Sequence, residues 1–467
     1  MEDLEKTKQN ILRLCPQKFR KEISTTIEDV TSLDEKIQRH MFGTALIVAQ
    51  MGFDATTIIA ALLHDTDLYP EYDESVQNLV KGVRVIEATT KNEDTKDEII
   101  TKYILNNAKD LRSVIIKLAS VLDKVRNPEL VNEGFKKTYF KQAQTIYSEI
   151  AEYLDLGPIK TEIDERVFKI TQPVEYTAID NRYKEYGIDN SLLKKYMHFI
   201  ETKTTGLAVK ISGRIKSRYS VYNKLKKYEK EWKSPDIKSI SDLIAFRCIT
   251  EDTNDCFNVL EKIMDTGELN IDQFDDYISN PKPNGYMAIH SIVKFPNISN
   301  LDVEVQILTR DMHDTNTYGT ASHIAYKASK SRYANPSDKY EWVQEVHEGI
   351  EKNITNQKDM KDIPIEVKLF QEDIFAFTPK GEIIPLSKGD TALDFAYRIH
   401  SQIGDSAVAV KINGKAGKLN QELQTGDMVE IKTQKDKRCH DVSAIQYANS
   451  NSSKSRILKS ILKNQKN

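Results

Sequence analysis

Cysteine is scarce in this chain and unpatterned: the four residues Cys15, Cys248, Cys256 and Cys439 contain no Cys-x-x-Cys pair. That excludes a zinc knuckle or a disulfide-stapled fold and points to a reducing compartment. No apolar run approaches the ~18 residues needed to span a bilayer. The start, Met1-Glu2-Asp3-Leu4-Glu5-Lys6, lacks an apolar secretory core. A cytoplasmic protein with no membrane partner is therefore expected. Net charge is small as well, because 67 Lys and Arg face 70 Asp and Glu to leave −3, so no global charge draws the chain to nucleic acid. What is present suits a globular protein, with 39% hydrophobic and 29% charged residues. Its 467 residues are enough for roughly three domains of ~150 each. The charge balance fails locally: between Arg214 and Lys238 nine Lys or Arg stand against three acids.

Periodicity divides the chain. Residues 1–155 read as almost entirely helical, with 3.6-period stretches at Met41–Met51, Ala55–His64 and Leu111–Val125. Residues 156–204 read as a helical connector. From 205 to 335 extended runs alternate with amphipathic helices: strand Leu207–Ser212, helix Tyr219–Trp232, strand Asp242–Ile249, helix Asp252–Met264, strands Ala288–Phe295 and Asp302–Leu308, helix Asp311–Lys327. A charged linker with a helix follows at 336–369. A compact unit at 370–434 has strands at Asp373–Thr378, Glu382–Leu386, Val408–Ile412 and Met428–Lys432 and a helix at Ala392–Ile399. Residues 435–467 read as a basic, solvated tail.

The chemistry concentrates in 205–335. The segment Phe274–His290 packs two carboxylates, a lysine, an amide, aromatic rings and a histidine into a loop whose path Pro281, Pro283 and Gly285 restrict. These types suit a purine nucleotide: a ring for the base, an amide for its edge, Lys282 and His290 for phosphate. A plain Pro/Gly turn into a strand is the alternative. In Asp302-Val303-Glu304-Val305-Gln306-Ile307 the alternation buries Val303, Val305 and Ile307 and leaves Asp302, Glu304 and Gln306 on the other face. Asp242 heads the apolar strand Leu243–Cys248. Carboxylates on adjacent strands suit a hard cation such as Mg²⁺ against a triphosphate. Arg214 and Lys216 share one side of an extended segment, and Ser220, Lys224 and Lys227 form one face of the helix after it.

In order, these are Gly-Arg-x-Lys, Ser-x-x-x-Lys, Asp-Leu-Ile-Ala-x-Arg, Asp-Tyr-Ile-x-x-Pro-Lys-x-Asn-Gly-Tyr-x-x-Ile-His and Glu-Val-Gln-Ile. Over about 130 residues they resemble the synthetase domain of the Rel-type (RelA/SpoT homologue) alarmone synthetases. The resemblance implies a mixed-sheet, nucleotidyltransferase-like fold. It also implies a pyrophosphokinase that moves the β,γ-pyrophosphate of ATP to the 3′-hydroxyl of GTP or GDP, giving (p)ppGpp and AMP. By the same likeness Arg214 and Arg247 stack on adenine, Lys216, Ser220 and Lys224 hold ATP phosphates, and Asp242 binds Mg²⁺. Glu304 activates the 3′-hydroxyl and helps hold the metal. Tyr286 stacks on guanine, Asn284 and Gln306 assist acceptor recognition, and Lys282 and His290 face acceptor phosphates. Leu308 stands where the family commonly has arginine. Asp275 and Asp276 resemble the acidic form of the loop, typical of dedicated synthetases with an added Mg²⁺ requirement.

His40 and His64-Asp65, with Ala60-Ala61-Leu62-Leu63 before the pair, resemble the HD hydrolase domain of the same family over roughly residues 20–150. Active members complete a Mn²⁺ site with an aspartate in Lys-Leu-Ala-Asp. Here Lys117-Leu118-Ala119-Ser120 puts serine there, and Leu68-Tyr69 replaces an acidic pair. A lost Mn²⁺ site and a hydrolase frame kept for regulation are expected; residual Mn²⁺-dependent hydrolysis is the alternative. Phe375–Glu382, Leu393–His400 and Gly426–Ile431 resemble the TGS domain, a small β-grasp module that touches uncharged tRNA on the ribosome. His400 is the matching histidine, or else a C-cap donating to a carbonyl. The chain ends about thirty residues later, so the helical, zinc-finger and ACT regions of long members are expected to be absent. A tRNA or ribosome sensor with little activity is the remaining alternative.

Overall fold

The computed structural model describes residues 2–318 and 373–465, apart from 16, 92–94, 155, 231–235, 283–284 and 435–439. The expected helix beyond 318, the linker at 336–369 and Asn284 lie outside the described residues. The chain divides into two compact units, residues 1–131, 145–150 and 349–467 in one and 132–144 and 151–348 in the other.

In the first unit, helices Glu35–Gln50, Ala55–Leu63 and Glu74–Thr90 pack on Leu111–Arg126, while Glu2–Leu14 packs on Glu35–Gln50, Arg20–Thr31 on Ala55–Leu63 and Asp97–Asn107 on Glu74–Thr90. Aspartates start three of them: Asp34 accepts from Lys36 N, Asp54 from Thr57 N and Asp110 from Arg112 N, each satisfying an amide the helix leaves open. Leu111–Arg126 is buried nearly all round, which marks it as the centre of the bundle. It therefore carries Lys117, Ser120 and Asp123 into the interior.

The same unit holds the C-terminal module. Strand β7 (Asp373–Phe377) pairs antiparallel with β8 (Ile383–Ser387). Helix Ala392–Ile399 opens with a capping box of Thr391 and Asp394. Strand β9 (Ala407–Ile412) lies between β10 (Lys415–Gly417) and β11 (Val429–Thr433). Tyr103 sets its ring edge against Phe375 and Phe377, each centroid 5.6 Å away, and Thr95 Oγ1 accepts from Ile383 N at 2.8 Å. The expected tail is instead partly a helix, Asn451–Gln465. Ile457 and Ile461, one turn apart, bury against Leu393, Ala396 and Tyr397. The Ser/Asn-rich stretch before it is the cap: Asp394 accepts from Asn449 N and Ser450 N, and Ser450 Oγ from Ser453 N.

The second unit is built on a mixed sheet. β1 (Ala208–Ile215) runs antiparallel to β2 (Ile244–Thr250), and β2 runs parallel to β6 (Asp302–Thr309). β6 is antiparallel to β5 (Ile289–Lys294), and β5 also pairs with β3 (Glu268–Leu269) and β4 (Asp275–Asp276). Helices Gly157–Thr171, Pro173–Glu185 and Asn190–Lys203 do not form a core of their own. Phe168, Tyr183 and Tyr196 bury in one cluster with Val221, Phe246 and Phe295. Gly213 permits this closeness, since a Cβ there would lie 2.7 Å from the Phe246 ring.

Candidate active site

Sheet register gathers the residues of 205–335 onto one face. Paired positions run Ser212–Arg247–Gln306–His290–Asp275 across β1, β2, β6, β5 and β4, and Arg214–Ala245–Glu304–Ile292 across the adjacent row. Opposed residues share a face, as do residues two apart on a strand. Arg214, Arg247, Gln306, Glu304 and His290 therefore stand on the same side. The alternation read from β6 holds: Val303, Val305 and Ile307 are buried and Glu304 and Gln306 are not.

At one end of this face Asp242 is gripped by two lysines, Lys216 Nζ at 2.6 Å and Lys224 Nζ at 2.8 Å. Burial raises the Asp242 pKa, but hydrogen bonds from both ammoniums outweigh it and hold the carboxyl below its usual range. The turn carrying Lys216 is fixed from behind. Tyr183 Oη donates to Lys216 O at 2.8 Å, Lys216 N donates to Leu243 O at 2.8 Å, and Tyr219 N donates to Glu165 at 3.1 Å. Ser220 N donates to Ser217 Oγ at 3.2 Å, shaping the first turn of helix Arg218–Lys230. Arg214, Lys216, Ser217 and Ser220 line a cavity of about 750 Å³ whose other wall is helix Gly157–Thr171, with Glu165, Arg166 and Lys169. That helical wall was not anticipated, because nothing in its composition separates it from a connector.

At the other end, Gly285 has φ +83° and closes a turn in which Gly285 N donates to Lys282 O and Lys282 N to Tyr286 O. Tyr286 Oη lies 2.7 Å from His290 Nε2, and His290 Nδ1 lies 3.0 Å from Glu304 Oε1. Burial raises the Glu304 pKa, while hydrogen bonds from His290 and Gln306 overcome it and hold the group ionised. Burial pushes the Tyr286 hydroxyl up to about 12. Lys282 Nζ sits 4.1 Å from the Tyr277 ring centroid and 5.2 Å from that of Tyr286, a pair of cation–π contacts. Tyr277, to which the sequence motif attaches no role, also sets its edge against Tyr286 and His290. Asn316 pins the loop, donating to Met287 O at 2.7 Å and accepting from Met287 N at 3.1 Å. Tyr277 was findable as the middle of Asp-Tyr-Ile; Asn316, 29 residues downstream of Met287, carried no local signal.

The two loop aspartates differ. Asp276 caps its own turn, accepting from Ile278 N, Ser279 N and Ser279 Oγ, so it does structural work. Asp275 is exposed and paired in register with His290. Leu308 is buried with Ala288 and Met312.

In the first unit, His40, His64 and Ser120 do meet. His40 Nδ1 lies 2.6 Å from Asp123 Oδ2, and the Nε2 atoms of His40 and His64 lie 3.0 and 3.1 Å from Ser120 Oγ. His64 Nδ1 donates to Ala61 O at 2.8 Å. Asp65 stands apart, 58% exposed, its carboxylate 3.9 Å from Lys124 Nζ. Burial, with Lys124 and Lys117 nearby, holds His64 down to about 3 and His40 well below the usual imidazole range. Burial pushes Asp123 up to about 7. No group of three or more His, Cys, Asp or Glu able to hold a metal occurs among the described residues. His400 is exposed and serves two helix ends: as the C-cap of helix Ala392–Ile399 its backbone N donates to Ala396 O at 3.2 Å, and its Nδ1 accepts from Gln402 N at 3.2 Å, capping helix Ser401–Ser406.

Three family profiles match the chain in order: an HD domain at 19–157, a region found in RelA / SpoT proteins at 213–331 and a TGS domain at 374–433. A protein from Aquifex aeolicus named guanosine-3′,5′-bis(diphosphate) 3′-pyrophosphohydrolase is 35% identical over 413 residues, 85% of this chain and 57% of that protein. The chain belongs to the RelA/SpoT-type proteins. Further RelA/SpoT-type relatives are the proteins named GTP pyrophosphokinase from Photobacterium angustum, 31% identical over 84% of this chain and 54% of its own length, and from Escherichia coli, 30% identical over 83% and 54%. This chain thus spans about half the length of the curated relatives it matches. Among solved structures, the small alarmone synthetase 1 from Bacillus subtilis bound to pppGpp covers 39% of the chain at 17% identity and a TM-score of 0.26, too weak a likeness to carry an argument. No helix of the described residues is long and apolar enough to cross a membrane.

Proposed function

We propose that this RelA/SpoT-type chain transfers the β,γ-pyrophosphate of ATP to the 3′-hydroxyl of GTP or GDP, releasing AMP. The observation that carries the reading is the single sheet face bearing Arg214, Arg247 and Glu304, with the Lys216–Asp242–Lys224 cluster at one end and Tyr286, bonded to His290, at the other. Arg214 and Arg247 stand diagonal on neighbouring strands, the arrangement needed to sandwich a planar base such as adenine. Lys216 and Lys224 trade their contact with Asp242 for the donor phosphates, with Ser220 at the helix start. Asp242 and Glu304 fit Mg²⁺: two carboxylates beside a phosphate-binding lysine pair leave its other positions to phosphate and water. When bound, the metal neutralises charge on the transferring group. Tyr286 offers its ring to guanine, Gln306 and Asn284 its edge, Lys282 the acceptor phosphates. Glu304, ionised and partly open, takes the proton of the 3′-hydroxyl. Positioning does most of the remaining work.

The helical domain, on this reading, has no hydrolase chemistry. Mn²⁺ does not fit there, because Ser120 Oγ occupies the point on which the two histidines converge, Asp65 faces Lys124, and Lys117 and Lys124 add positive charge. The name of the Aquifex relative favours the opposite reading, a hydrolase. Uncharged tRNA or the ribosome as partner of the exposed His400 rests on family likeness alone.

Incubation with ATP, GTP or GDP and Mg²⁺ should yield AMP and a 3′-pyrophosphorylated guanosine nucleotide in equal amounts, and a chelator should stop both. Incubation with ppGpp and Mn²⁺ should release no pyrophosphate. Absence of AMP with either acceptor refutes the synthetase reading; released pyrophosphate refutes the silent hydrolase.

A further inference from the structure

We propose that His290 is a positioning residue: with Tyr286 it forms one hydrogen-bonded unit that aims the Glu304 carboxylate, and it does not contact the acceptor's phosphates. This rests on the reading in which Glu304 accepts the proton of the 3′-hydroxyl.

The geometry leaves His290 no free nitrogen. Nε2 meets Tyr286 Oη at 2.7 Å and Nδ1 meets Glu304 Oε1 at 3.0 Å. Whether the ring carries one proton or two, both nitrogens are occupied, because a carboxylate can only accept and a phenol can donate or accept. The ring is also caged. Tyr277 and Tyr286 stand edge-on to it, with centroids 5.5 and 5.6 Å away. Turning Nδ1 or Nε2 toward a phosphate would break a hydrogen bond and both ring contacts.

The backbone explains why these three groups meet. His290 on β5 is paired with Gln306 on β6, so Glu304, two residues along the same face, is its diagonal neighbour. Gln306 hydrogen-bonds the same carboxylate. Glu304 is thus held from two sides on its own face, by His290 and by Gln306. The turn at Gly285 brings the Tyr286 hydroxyl back over β5 onto His290. Tyr286 then serves twice: its ring offers a stacking face, and its hydroxyl fixes the histidine that fixes the base. Lys282, over both tyrosine rings, is left as the loop's cation for phosphate.

Steady-state kinetics with ATP, Mg²⁺ and varied GTP or GDP separate the two roles. Tyr286→Phe keeps the ring and removes the hydroxyl. It should lower kcat roughly tenfold, about the worth of one orienting hydrogen bond, with the acceptor KM held within about twofold. His290→Ala should lower kcat further, and His290→Asn, whose amide can donate where Nδ1 does, should recover part of the loss. In the His290→Ala background Tyr286→Phe should cost nothing more, because the hydroxyl acts only through the ring. An acceptor KM that rises in His290→Ala at unchanged kcat would place His290 on the phosphates and overturn the proposal. An unchanged kcat in Tyr286→Phe would overturn it too, without depending on how the histidine variants fold. Wild-type AMP formation separates the failures: its absence defeats the synthetase reading, its presence with indifferent variants defeats only this inference.

Discussion

Two histidine–carboxylate pairs among the described residues have nearly equal geometry and opposite settings. His40 and Asp123 are 2.6 Å apart with side chains each 5% exposed; His290 and Glu304 are 3.0 Å apart and 20% and 13% exposed. The first pair is the head of a closed chain that runs through Ser120 and His64 to the carbonyl of Ala61. Each member of that chain has a partner within it, and Lys117 and Lys124 lie close enough to disfavour positive charge on His64. The second chain is open. It starts at a tyrosine ring beside a loop and ends at a carboxylate on the same face as two arginines. Polar groups that satisfy one another wholly in a dry interior make structure. The same groups, left with one end facing a cleft, can do chemistry.

Removing the carboxylate from each pair should break the symmetry most sharply. Glu304→Gln should lower kcat for AMP formation by a factor on the order of 10²–10⁴, the usual worth of a general base. Asp123→Asn should leave AMP formation within about twofold of wild type. Comparable losses in both variants, measured as AMP released under saturating ATP and acceptor, would show that the two pairs are not functionally distinct.

The sequence carried the open pair better than the closed one. Alternation along Asp302–Ile307 put Glu304 and Gln306 on one face, and the strands around them lie within a residue or two of expectation. The residues that complete the site are joined by register instead of by spacing: Arg247 is opposite Gln306 and His290 opposite it again, across strands far apart in the chain. Such pairings leave no local pattern, so Tyr183, Glu165 and Asn316 stayed silent. The closed pair shows the complementary failure. In the sequence Ser120 is a missing ligand, which is a statement about absence. That Asp123, one turn on, would take His40 Nδ1 and let a serine hydroxyl bridge two imidazoles depends on how helices Glu35–Gln50 and Leu111–Arg126 pack. The tail at 451–465 was missed for a similar reason: Ile457 and Ile461 bury against residues far upstream, and Ser450, which caps the helix, is itself held by Asp394, 56 residues earlier.

Ser120 offers a finer test of closure. Ser120→Ala removes the bridge and leaves the buried Nε2 atoms of His40 and His64 without this partner. It should cost about 1–3 kcal/mol in urea unfolding while AMP formation stays unchanged. Ser120→Asp restores the residue that active members carry, yet His40 Nδ1 remains tied to Asp123 and the two lysines remain. No Mn²⁺-dependent release of pyrophosphate from ppGpp is therefore expected. A substantial gain of hydrolysis would mean that the missing aspartate alone silences the domain, and the closed chain would lose its meaning.

The smallest effect lies in how the closed pair responds to acid. Burial holds His64 down to about 3 in the folded chain, against 6.5 as its ordinary value. The unfolded chain therefore binds more protons between those limits, so the stability His64 contributes is present above pH 6.5 and is lost as pH falls toward 3. One such proton is worth at most about 1.4 kcal/mol per pH unit. Asp123, pushed up to about 7 by burial from an ordinary 3.8, has the opposite sign: its contribution is present below 3.8 and is lost as pH rises through 7. Within the shared window, about pH 4–6.5, the two terms partly cancel. His64→Gln keeps a neutral hydrogen-bonding group and should flatten the rise of unfolding free energy with pH there, whereas Asp123→Asn should steepen it. Urea unfolding of each variant across that range reads the two slopes. If they change in the same direction, the histidines and Asp123 do not titrate against one another, and the first pair is not the closed chain its distances describe.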